Sequence, residues 1–206
     1  MADYLTIAKP SEAIFREKMS RFLAFAVPVS SAAEAKEQIT RYTNEYHDAR
    51  HVCWAYMIGS QRSEFLSSDN GEPSGTAGKP ILGQINSFGL TNIVVIVVRY
   101  FGGIKLGTSG LIAAYREAAR LALDAASIVE ARDMTTLCFS FPYLAMNDVM
   151  KLFKSQNSSE RDALKIISQQ FDNTCYLTLS LPLDLIEDFS SRINAIPGTS
   201  ILTEND

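Results

Sequence analysis

The chain has 206 residues, 47% hydrophobic and 20% charged, with a formal charge of −4 at neutral pH. That allows one large domain or two small ones with real cores, and the acidic balance excludes a protein that coats nucleic acid nonspecifically. No apolar run approaches the roughly 20 residues of a membrane helix, no basic-then-apolar leader opens the sequence, and three scattered cysteines make no disulfide framework, so a cytoplasmic location is expected.

Ser11–Glu17 and Arg21–Val29 read as two strands joined near Lys18-Met19-Ser20, the second apolar on both faces. Ser30 or Ser31 then caps a helix running to about Tyr46, with Glu34 completing a capping box. His51–Ile58 is a strand with Val52, Trp54, Tyr56 and Ile58 on one side, and Ser63–Leu66 a shorter one. A loop, Ser67–Lys79, leads into a helix whose first turn holds Pro80 and whose stripe is Ile81, Leu82, Ile85 and Phe88, stopped at Gly89. Thr91–Val98 lacks alternation, and a β-branched run apolar on both faces belongs in a sheet centre. A second loop, Arg99–Gly107, opens a helix from about Thr108 to Ala126.

The remainder has a different pattern. Thr135–Pro142 is a strand with Leu137, Phe139 and Phe141 on one face, and Asn147–Ser155 a short helix. Ala163–Gln169 and Asn173–Leu181 are strands, a helix runs to about Ala195, and Thr199–Leu202 is a last strand. The order is βαββαβ, the split βαβ sandwich of ferredoxin-like domains. The domains are therefore expected at 1–133 and 134–206, with no internal repeat. Residues 1–134 carry 14 basic and 14 acidic side chains and residues 135–206 carry 5 and 9, so any nucleic-acid contact needs a local patch in the first part. The second domain is unsuited to stacking bases, because its aromatic face, Phe139 and Phe141, is the one that must be buried.

The two loops concentrate the chemistry. In the first, Gly78-Lys79 fails as a P-loop because Pro73 and Pro80 stand where the motif needs a glycine and a hydroxyl. Ser74, Thr76 and Lys79, with free N–H groups before a helix, still make a plausible anion cradle, or else a tight turn that caps the helix. The second loop offers Gly102, Gly103 and Gly107 for close backbone approach, Thr108 as a cap, and the charges of Arg99 and Lys105, but no dinucleotide spacing. His47, His51 and Cys53 fall short of a tetrahedral metal site, and two histidines without a nucleophile elbow argue against a serine hydrolase. Asp48, Asp69 and Glu72 are carboxylates for acid–base work or for a solvated loop face.

The runs DARHVCWAY (48–56), GEPSGTAGKP (71–80) and VVRYFGGIKLGTSGLIAAY (97–115) closely resemble the IMPACT/YigZ family. The resemblance covers nearly the whole chain. It implies an α+β protein: an N-terminal α/β domain with the superfold shared by GHMP kinases and domain IV of elongation factor G, then a ferredoxin-like βαββαβ domain similar to domain V of that factor. It also implies a link to translation, since the eukaryotic member regulates initiation by competing for a partner protein in the amino-acid-starvation pathway. Two positions depart from the family pattern: Ser109 stands for a glycine and Ala113 for a basic residue.

Together these readings predict a translation-associated regulatory protein. It engages RNA, the ribosome or a protein partner through loops 69–80 and 99–109, with His51, Asp69, Glu72, Ser74, Thr76, Lys79, Arg99, Tyr100, Gly102, Gly103 and Lys105 as binding residues. No cofactor, metal or catalytic residue is assigned, no membrane contact is expected, and the oligomeric state stays open. The alternative is an enzyme acting on a small phosphorylated or carboxylated ligand in the same cleft. A third reading is structural: Arg99 pairs with Glu72 and pins one loop to the other.

Overall fold

A computed structural model describes residues 4–154 and 164–202. The chain divides into two compact units, Met1–Ala131 and Arg132–Asp206. No described helix is long and apolar enough to cross a membrane.

The first unit is built on a five-stranded sheet. Its strands are β2 (Ser11–Glu17), β3 (Ser20–Pro28), β4 (His51–Ile58), β5 (Glu64–Ser68) and β6 (Ile93–Tyr100), in the order β2-β3-β6-β4-β5. The Val/Ile run of β6 takes the central place, with seven consecutive residues, Ile93–Arg99, buried across both faces. Such a run is usual in parallel sheets, yet β6 pairs antiparallel with both β3 and β4. Helices on both faces reconcile the two facts. Helix α1 (Ala32–Glu45) covers Val94, Ile96 and Val98, while α2 (Gly78–Ser87) and α3 (Gly107–Asp124) cover Ile93, Val95 and Val97. Each such buried side chain contributes about 1.5–3 kcal/mol over exposure. A two-stranded ribbon, β1 (Tyr4–Ile7) with β7 (Ile128–Ala131), adds Ile7 to the second of these cores. No sequence pattern announced it, because four-residue strands are too short to show a period.

Local chemistry sets the joints. Lys18 and Met19 both have positive φ and turn β2 into β3 in two residues, a conformation usually left to Asn-Gly. Ser31 caps α1 by accepting from the Glu34 N–H, but Glu34 closes back on Ser30 rather than on the cap. Gly89 stops α2 at φ 66°, as its position suggested. The expected Thr108 cap of α3 is not formed: the helix starts at Gly107, and no side chain hydrogen-bonds its N-cap, Leu106.

The second unit holds β8 (Met134–Pro142), α4 (Met146–Lys154), β9 (Lys165–Gln170), β10 (Thr174–Pro182), α5 (Ile186–Asn194) and β11 (Ser200–Leu202). Ser155 and Ala163, expected at the ends of α4 and β9, lie outside the described residues. The sheet order is β11-β8-β10-β9, all antiparallel. Leu137, Phe139 and Phe141 of β8 and Cys175, Leu177, Leu179 and Leu181 of β10 form one core with Val149, Phe189 and Ile193. The expectation of no repeat is corrected here. Each half has a nine-residue strand ending in proline, a three-residue 3-10 turn and a nine-residue helix. Leu137 and Leu177, Pro142 and Pro182, and Met146 and Ile186 correspond. Cys138 and Thr178 pair across the centre of the two strands, with Sγ and Oγ1 3.3 Å apart.

Candidate functional site

Arg99 is the penultimate residue of β6 and points to the α2/α3 face, like Val97 and Val95 two and four residues earlier. Its guanidinium lies over the Phe22 and Phe101 rings, 5.5 and 5.6 Å from their centroids. Nη1 donates to Glu72 Oε1 at 2.6 Å, and the two side chains are 6% and 4% exposed. The same Glu72 oxygen accepts from the Tyr115 hydroxyl of α3 at 2.9 Å. His51 Nε2 lies 3.9 Å from it. His51 Nδ1 donates to the Asn70 carbonyl at 2.9 Å, since a carbonyl can only accept. Glu72 therefore ties the first loop to β6, and to α3 as well.

Beneath the pair sits Cys53. Its Sγ is 2.9 Å from the Asp69 carbonyl oxygen and 3.4 Å from the Tyr115 hydroxyl. Burial pushes the thiol up to about 12 and drives the Tyr115 hydroxyl far above its ordinary value. Neither group is an activated nucleophile at neutral pH.

Around Glu72 and Arg99 opens a hollow of about 430 Å³, lined also by Arg50, His51, Pro73, Phe101, Lys105 and the first turn of α3. Three cations face one carboxylate there, and that carboxylate is already paired. Among the described residues no cluster of three metal-ligating side chains occurs. The His51–Cys53 pair is spent on backbone carbonyls.

His51, Glu72, Arg99 and Lys105 thus meet in one hollow. Other expected binding residues have different positions. The predicted cradle before α2 is filled from within: Asp69 Oδ2 accepts from the Gly75 N–H at 2.7 Å, and Oδ1 from Ala77 and Gly78 at 2.9 and 2.8 Å. Burial works against that carboxylate, but these three hydrogen bonds and the charge of Lys79 hold it below the usual range. Thr76 is buried and donates its hydroxyl to the Pro73 carbonyl. Ser74 is exposed, and exposed Lys79 borders a separate hollow with Gly75, Gly83 and Arg116. Tyr100 faces the α1 side, where its hydroxyl donates to Asp48 Oδ1 at 2.8 Å and Arg21 lies over its ring. Gly102 is pressed on the β2–β3 turn: an added Cβ would sit 2.1 Å from the Met19 backbone carbon. Gly103 takes φ 88° in open space.

Sequence reasoning passed over Arg50, Ser20 and the polar role of Tyr115. Ser20 is fully buried and accepts from Arg99 Nη2 at 3.4 Å and from the Gly102 N–H at 3.3 Å. A hydroxyl directly after a tight turn was the available signal. Tyr115 has none, because helical spacing alone marks it as core.

Residues 18–123 match the Impact N-terminal domain family. The chain is 34% identical to an IMPACT family member of Haemophilus influenzae, across 94% of this chain and 92% of that protein. It is 32% identical to the IMPACT family member YigZ of Escherichia coli, across 94% and 93%. A solved crystal structure described only as that of a hypothetical protein superposes with a TM-score of 0.71 at 29% identity, covering 100% of both chains.

Proposed function

The chain belongs to the IMPACT family, and from that premise we propose that it is a translation-associated regulatory protein that acts by binding. The observation that carries this is the buried Glu72–Arg99 pair. It joins loops 69–80 and 99–109 into one preformed surface, in a site whose thiol and phenol are held protonated. The rim of that surface is cationic at Arg50 and Lys105, with Phe101, Ile104 and Met19 exposed beside it. An acidic partner within the translation machinery suits such a rim.

The same reading takes residues 1–133 as the IMPACT domain, with the superfold shared by GHMP kinases and domain IV of elongation factor G. It takes residues 134–206 as a ferredoxin-like domain, supported by the βαββαβ order and the β11-β8-β10-β9 sheet. Cosedimentation with purified ribosomes and ribosome-free factor fractions tests it, at about 50 and 200 mM salt. Binding weakened by Ile104→Asp is expected. A steep salt slope on naked RNA assigns the partner to RNA, and its absence assigns it to protein. No retention by either fraction at low salt overturns the reading.

A second reading, an enzyme for a small phosphorylated or carboxylated ligand, is favoured by the size of the hollow, about 430 Å³, which falls among small-molecule sites. Its test is turnover of phosphate esters, lost in Glu72→Gln.

A further inference from the structure

The first unit has two helix N-termini beside its loops, and they are finished differently. Asp69 fills that of α2 with three charge-assisted hydrogen bonds. The N-terminus of α3, an 18-residue helix, has no side-chain cap, and its first residues Gly107 and Thr108 line the hollow. The N–H groups of that first turn, which have no acceptor within the helix, and the helix dipole there favour negative charge. The surrounding charges point the same way. Arg50, Arg99 and Lys105 share the hollow with one carboxylate, Glu72, whose Oε1 already takes Arg99 and Tyr115.

An independent feature is Arg99 itself. It is 5% exposed, Nη1 is used on Glu72 and Nη2 on Ser20, yet Nε–H is buried with no hydrogen-bond partner among the described residues. A guanidinium offers five donors in a fixed fork, and a buried donor left unpaired is costly. Pro73, Phe101, Leu106 and Leu111 add an apolar lining to the same hollow, with the Phe101 ring against the Arg99 guanidinium. Such a hollow holds more than a bare ion.

The geometry points to a binding site for a small organic oxyanion, a carboxylate or phosphate ester with an apolar body. The oxyanion sits at the N-terminus of α3 between Lys105 and Arg99, and the body rests on Phe101 and Leu111. This rests on the second reading for its hollow and ligand class, and it requires neither turnover nor the macromolecular partner.

The test is calorimetric titration of the full chain with phenyl phosphate and with benzoate, with phenol as the neutral analogue, followed by amide shifts in nitrogen-15 spectra. One-site binding of at least one oxyanion is expected, with the Gly107 and Thr108 amides shifting and phenol about tenfold weaker or worse. Lys105→Glu and Arg50→Glu, both at exposed positions, each weaken binding by about tenfold, while Lys36→Glu on α1 does not. Absence of saturable binding by either anion, equal binding of phenol, unmoved α3 amides, or indifference to both rim variants overturns the proposal. Ribosome or factor retention that persists in those cases leaves the partner reading standing. Oxyanion binding without turnover overturns the enzyme reading alone.

Discussion

Arg99 Nη1 and Glu72 Oε1 meet at 2.6 Å in a nearly closed environment, and this contact joins the end of the central strand to a loop 27 positions earlier. Desolvating two charges is expensive, so such a pair is worth most as a constraint and least as a source of net stability. Removing one partner leaves the other buried and uncompensated. Arg99→Leu is therefore expected to cost about 3–5 kcal/mol in urea-induced unfolding. A loss under about 1 kcal/mol would mean that water screens the pair.

Asp69 carries an acid-sensitive part of the stability. Burial raises its pKa, but the Gly75, Ala77 and Gly78 N–H groups outweigh that and leave it below the ordinary value of 3.8. A group depressed on folding stabilises fully above its unfolded value and loses that contribution as pH falls through the folded one. Asp69→Asn should cost about 1–3 kcal/mol at neutral pH, since an amide cannot accept three N–H groups as a carboxylate does. The gap to wild type should shrink below about pH 4. Unfolding curves at pH 7 and in acid check both parts; a constant gap would assign the loss to packing.

Gly102 and Gly103 separate close approach from backbone freedom. A methyl on Gly102 collides with the Met19 backbone at 2.1 Å, whereas one on Gly103 meets nothing within 4 Å but must adopt φ 88°. Gly103→Ala is expected to cost about 1 kcal/mol and Gly102→Ala about 3 kcal/mol or more, because the β2–β3 turn has to shift. Thermal melts of the two variants should rank them in that order.

Cys53 should be inert in the native state. Its thiol, raised to about 12 by burial, stays protonated at pH 8. Cys175 is also buried, while Cys138 is only partly so. Alkylation at pH 8 followed by peptide mass mapping should label Cys138 first and Cys53 only on unfolding. Rapid labelling of Cys53 would show that the packing against Asp69 and Tyr115 opens.

Much of this was legible, for physical reasons. The run Ile93–Val98 could be satisfied only at a sheet centre with helices on both sides, and alternation assigned Leu137, Phe139, Phe141 and Leu177 to one core. The pairing of Glu72 with Arg99 was foreseen as the structural alternative, because two opposite charges at adjoining loop ends seek each other. Other placements needed coordinates. Ser74 and Lys79 look like an anion cradle until Asp69 is seen to fill it, and nothing in loop composition says which carboxylate folds back. Tyr100 was grouped with Arg99 although period-two alternation on β6 already sends them to opposite faces. The repeat in the second unit, visible in Pro142 and Pro182 with their flanking strands, escaped because its cores differ in residue type.

Glu72 and Arg99 couple the two loops, and a double-mutant cycle measures this directly. Unfolding free energies of wild type, Glu72→Gln, Arg99→Leu and the double variant should give a coupling of about 2 kcal/mol or more, with the double variant markedly less damaged than the sum of the singles. A coupling within about 0.5 kcal/mol of zero would show that the loops hold their positions independently, and would contradict the account.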